Sequence, residues 1–224
     1  MKIEAVFRRR AEVGESVAEL NSALIEKLSK ISGFFAENYE SGGGVFDPGD
    51  GDSASTNLSP YLTPGMSGGV IFASRSPGRV EDKARSDDSL GLKIDLEKID
   101  FMQFSSFVFP EVIRAFDCYR SAVITDVNLY LDDHEGIVEV SRSTPLDVDG
   151  RDGVFRFNPA NYFDDELCAR AFSLRPAEVV ARLEGSCKTV EEFHGGVLFL
   201  VVDRPIVGPE SLELDRRVRE LLHV

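Results

Sequence analysis

Phe193-His194-Gly195-Gly196-Val197-Leu198-Phe199-Leu200-Val201-Val202-Asp203-Arg204-Pro205 is the stretch whose reading decides the fold. Val197 to Val202 is apolar throughout and does not alternate, which fits a strand covered on both faces better than one with a wet side. Pro209 can then open a helix that runs to the end of the sequence. Leu214, Val218, Leu221 and Leu222 share one face of it, and Glu213/Arg217 and Asp215/Arg219 stand at i,i+4 on the surface. A covered strand feeding a surface helix implies an α+β fold, a single domain over 1–224 with a mixed sheet and helices packed on it.

Upstream, Lys2 to Arg8 alternates, with Ile3, Ala5 and Phe7 on one side, and predicts a strand with one face on the core. Ser16 and Glu19 have capping-box spacing and open a helix expected from Val17 to Tyr39, with Val17, Leu20, Leu24, Leu28, Ile31 and Phe35 as its apolar stripe. Gly33 is a point for a kink or break. Glycine, serine and aspartate then dominate, and a flexible loop is expected at about 40–57. Gly69 to Ala73 reads as a strand, Ser76 to Ser89 as a charged connection, and Leu90 to Ile99 as an edge strand because Asp95, Glu97 and Lys98 interrupt it. Pro110 starts a helix carrying Val112, Ile113, Phe116 and Tyr119.

Ala122 to Ile124 and Val127 to Leu131 suggest a broken strand, returning through an exposed tip, Asp132-Asp133-His134-Glu135-Gly136, into Ile137 to Val140. Val154 to Phe157 suggests another short strand. Asn158 to Phe163 turns the chain into Asp164-Asp165-Glu166, an acidic helix start favoured by the helix dipole. Pro176 precedes a short helix, and Thr189 with Glu192 has capping-box spacing for one more turn.

The balance of 25 basic against 39 acidic residues, a formal charge of -14, repels nucleic acid and anionic membrane and favours a basic protein partner. No apolar run approaches the roughly 18 residues of a membrane span, and no secretory signal pattern opens the sequence. Cys118, Cys168 and Cys187 are odd in number and widely spaced, which points to reduced thiols and a cytoplasmic setting.

Catalytic signatures are sparse. Asp47, Asp50 and Asp52 lack the spacing of a calcium loop, and Gly42-Gly43-Gly44 lacks the lysine and hydroxyl of a phosphate loop. His134 is crowded by Asp133 and Glu135 but has no second histidine at zinc spacing, so no metal or cofactor is expected. The alternative to a binding protein is a small hydrolase-like enzyme, its site assembled from distant acidic residues and His194 or His134. A binding protein of this charge should instead present acidic tips. The candidates are Asp132, Asp133 and Glu135, and Asp164, Asp165 and Glu166 with Tyr162 and Phe163 as anchors.

Two further patterns carry a family resemblance. The segment Leu28-Ser29-Lys30-Ile31-Ser32-Gly33-Phe34-Phe35-Ala36-Glu37-Asn38-Tyr39 resembles the early aromatic segment of bacterial immunity protein family 52, with Asn38 where that family usually has tryptophan. Arg182-Leu183-Glu184-Gly185, then Gly195 to Leu200, Asp203-Arg204-Pro205 and Arg216-Arg217-Val218, is similar to the family's ending. The resemblance implies a non-enzymatic protein that neutralises a cognate toxin of a polymorphic or type VI secretion system, typically a nuclease with a restriction-endonuclease-like domain. Phe34, Phe35 and Tyr39 match as packing residues.

Overall fold

A computed structural model describes residues 1–39, 45–49, 53–76, 86–144 and 146–224, and the chain divides into two units, 1–118 and 119–224. Both combine antiparallel strands with helices, an α+β arrangement.

The first unit is built on β1 (Lys2–Arg10), whose alternation places Ile3, Ala5 and Phe7 in the core with no exposed surface. Its partner is β5 (Asp87–Asp95), which also pairs with β4 (Met66–Ala73). The edge position expected for this strand is therefore wrong. Leu90, Leu92 and Ile94 face the core while Lys93 points to the exposed face, so charge marked a wet face and not an edge. Two strands fall inside the stretch expected as a loop, β2 (Val45–Asp47) and β3 (Ser53–Asn57), completing the order β2-β3-β4-β5-β1. The rest of that stretch, 40–44 and 50–52, lies outside the described residues, as do 77–85 of the charged connection.

Helix α1 (Val17–Leu28) begins as expected, with the Ser16 hydroxyl accepting from the Glu19 amide at 3.4 Å. It ends eleven residues short of Tyr39, and Gly33, at φ 77°, belongs to the turns that follow. Those turns stack the family-like aromatics: Phe34 is fully buried, and Phe35 lies parallel to Tyr39 with ring centroids 4.1 Å apart. Asn21 on α1 accepts a buried hydrogen bond from the Thr56 hydroxyl at 2.6 Å, fixing the helix to β3. The run α2 (Phe101–Gln103), a π-helical turn (Phe104–Val108) and α3 (Phe109–Phe116) closes the core against β1.

The second unit has the strand order β6-β7-β9-β8. These are β6 (Arg120–Ile124), β7 (Ala160–Asp164), β8 (Thr189–Phe193) and β9 (Gly196–Leu200). As the apolar run requires, β9 lies inside the sheet between β7 and β8 and is buried along its whole length. Within each unit the ladders are antiparallel. The reason is local. His194 and Gly195 both take positive φ, 45° and 75°, the geometry of a two-residue hairpin turn, so β8 must return against β9. Thr189 accordingly starts a strand and caps no helix. Gly196 is required sterically, since a Cβ there would stand 2.1 Å from the Phe163 carbonyl oxygen.

Packed on this sheet are α5 (Asp165–Phe172), α6 (Pro176–Leu183) and α7 (Pro209–Leu222); between β6 and β7 in sequence lies α4 (Val127–Ser143). On α7, Leu214, Val218 and Leu222 are buried and Asp215 meets Arg219 at 3.0 Å as expected. Glu213, however, pairs with Arg216, and Arg217 donates to the Ser186 carbonyl. The other family-like residues also have structural partners: Arg182 donates to the Leu222 carbonyl, Asp203 pairs with Lys188, and Arg204 pairs with Glu210.

Candidate partner interface

The strand and hairpin expected over 127–140 are instead the single helix α4. Asp126 decides this locally. Its Oδ1 accepts from the Leu129 amide at 3.1 Å, a side-chain N-cap, and its Oδ2 accepts from the Gly208 amide at 2.6 Å. The Val127 to Leu131 run that suggests a strand also contains the helical spacings Val127–Tyr130 and Val127–Leu131, and the cap selects the second reading. Replacing Asp126 by alanine is expected to lower stability by about 1–2 kcal/mol in chemical denaturation, with loss of helical signal.

On α4 the candidate residues separate. Asp133 faces inward and binds the Arg156 guanidinium through Nε and, at 2.8 Å, Nη2. Arg156 is itself 3.8 Å from Asp215, which accepts from the Phe157 amide. Asp132 and Glu135 lie on the exposed side with Glu139, and none of the three has an ion-pair partner among the described residues. Leu131 stands beside them, 59% exposed. Glu139 and Leu131 are the members of this surface that a strand reading hides; the four-residue repeat Leu131, Glu135, Glu139 is the signal that a helical reading brings out.

The second candidate tip is different. Tyr162 and Phe163 are not surface anchors: both lie in β7, 0% and 1% exposed, because Asn158 to Phe163 leads into an interior strand and does not form a loop. The Tyr162 hydroxyl donates to the His194 carbonyl at 2.9 Å, and Phe163 packs on Phe157, Phe172 and Phe199. Asp164 caps α5 through the Leu167 amide, Glu166 pairs with Arg170, and Asp165 is left on the surface. Val154 to Phe157, expected as a strand, is irregular chain that carries Arg156 to Asp133.

His134 is exposed on α4, and His194 occupies the exposed β8–β9 turn. Burial, with Asp164 and Asp165 nearby, pushes the Cys168 thiol up to about 12, and burial pushes Cys187 to about 11 against the opposing charge of Arg217. These are the properties of packed thiols and not of nucleophiles. Among the described residues no three His, Cys, Asp or Glu side chains gather as a metal-ligand set, and no helix is long and apolar enough to cross a membrane. An open groove of about 560 Å³ on the first unit's sheet runs over Gly69 and Gly91 between Val6, Asn57 and Ile71, and its lining carries no titratable side chain.

The solved structure of Pseudomonas aeruginosa T6SS protein PA0821 superposes with a TM-score of 0.56 at 9% identity, over 99% of this chain and 72% of that one. This chain shares its fold. No family model matches the chain, and no curated protein matches it. At such identity the likeness is one of fold, and the chemistry has to be argued from the surface just described.

Proposed function

We propose that this chain is an immunity protein, of the family 52 type, that binds a cognate secreted toxin and neutralises it by occluding its active or substrate-binding surface. The observation that carries the reading is the fold shared with a T6SS protein. The toxin class proposed is a nuclease with a restriction-endonuclease-like domain. Such a domain needs basic surface to hold phosphate, and a chain of charge -14 can compete for that surface without chemistry of its own. The outer face of α4 supports this, because Asp132, Glu135 and Glu139 are unneutralised while Glu210, Glu213 and Glu220 on α7 are all matched by arginines. No enzymatic step is required, and the protein acts in the cytoplasm of the cell that makes the toxin.

Co-expression tests the reading. The product of the neighbouring gene is expected to kill cells alone, to spare them when this chain is present and to co-purify with it; failure both to protect and to bind overturns the proposal. Reversing Asp132, Glu135 and Glu139 to lysine together is expected to slow association roughly 10- to 100-fold at low salt, with the difference shrinking as salt rises. Unchanged association kinetics would remove α4 from the interface.

A further inference from the structure

Among the described helices α4 alone has no buried residue, although it is 17 residues long. It contains no i,i+4 ion pair of its own and carries Gly136 in its middle, where glycine weakens a helix by about 1 kcal/mol. A lone helix of this length is marginal in water, so attachments to the rest of its unit hold it in place. Its polar attachments lie at its first half and include the Asp126 contact with the Gly208 amide and the forked Arg156 contact with Asp133. Beyond Asp133 its apolar side chains Ile137 and Val138 are no more than half-buried, and even a Cβ placed on Gly136 would only just reach the Phe155 ring, at 4.0 Å. Beneath its first turns is a crevice of about 10 Å³ where Leu129 and Tyr130 face Phe157, Ile206 and Leu214.

We infer that α4 is a strap: it opens as a unit, pivoting near the Asp126 cap, with the Asp133–Arg156 pair as its latch. Opening exposes the apolar side chains of the crevice while the sheet beneath stays folded. The packing contrast accounts for the separation. β9 is buried throughout and opens only with the whole unit, whereas α4 gives up little apolar contact when it lifts. The inference concerns the free chain and does not depend on the toxin.

Native-state amide exchange read by mass spectrometry tests it. Peptides from 128–143 are expected to exchange by local opening far faster than peptides from β7 and β9. Asp133→Asn keeps the side-chain shape and removes the charge of the latch; it should speed exchange across α4 by about 10- to 100-fold and leave β9 unchanged. Glu220→Gln, which breaks a surface pair with Arg216 on α7, is the control and should leave α4 unaffected. Protection of α4 equal to that of β9 would overturn the inference. So would an Asp133→Asn effect no larger than that of Glu220→Gln, or one spread evenly over the whole unit.

Discussion

Asp88→Ala is expected to destabilise the protein by about 3–5 kcal/mol, because it removes a fully buried carboxylate from between two guanidinium groups. Asp88 accepts from Arg9 at 2.9 Å, from Arg75 at 2.8 and 2.7 Å, and from the Ala73 amide at 2.9 Å. It therefore joins β1, the end of β4 and β5 at one point. The arginine side chains are only 15% and 10% exposed, so neither reaches bulk water once its partner is gone. Glu15, paired with both, compensates in part. A loss below about 1 kcal/mol in urea denaturation would show that the arginines rearrange to solvent and that the cluster is a surface network in effect.

The same cluster sets a direction for pH. Burial pushes Glu15 up, but the Arg9 hydrogen bond, the Glu12 amide and the charges of Arg9 and Arg75 outweigh it and hold the carboxyl below its ordinary value. A carboxylate depressed in the folded state contributes stability above its unfolded pKa and loses it as pH falls through the folded one. Wild-type stability should thus decline through the acid range below the usual glutamate value.

Phe163→Ala is the second large effect, also about 3–5 kcal/mol. The ring is 1% exposed and contacts Phe157, Phe172 and Phe199 at centroid distances of 6.0, 5.6 and 5.8 Å. Those neighbours belong to an irregular segment, a helix and an interior strand, so the cavity left by the ring cannot be closed by moving one element. The variant also separates two roles. An interface anchor would weaken partner binding and leave thermal stability alone; a core ring lowers the melting temperature, and any loss of binding follows the unfolding. Stability within 1 kcal/mol of wild type would contradict the packing.

The candidate interface residues were only partly legible in the sequence for a related reason. Asp132 and Glu135 are visible as acids in any reading, but whether Asp133 joins them depends on helical phase. A helix turns it inward to Arg156, 23 residues away in sequence, and no local pattern announces that pair. Tyr162 and Phe163 follow a turn-forming Asn158-Pro159 in the sequence, and only pairing with β6 and β9 makes them interior.

By itself the sequence determined what depends on neighbours a few residues apart or on bulk composition. Ile3, Ala5 and Phe7 on one face of β1, the unalternating Val197–Leu200 strand, the Ser16 cap and the face of α7 follow from periodicity and cap chemistry, and the charge of -14 follows from counting. The tertiary structure decided what depends on contacts made over long separations. It placed β5 inside its sheet, tied the Asp126 cap of α4 to Gly208 and turned Asp133 inward to Arg156. The physical reason is that a short apolar or acidic run satisfies several local geometries at nearly equal free energy. The choice among them is made by the cap or ion pair it meets elsewhere in the fold.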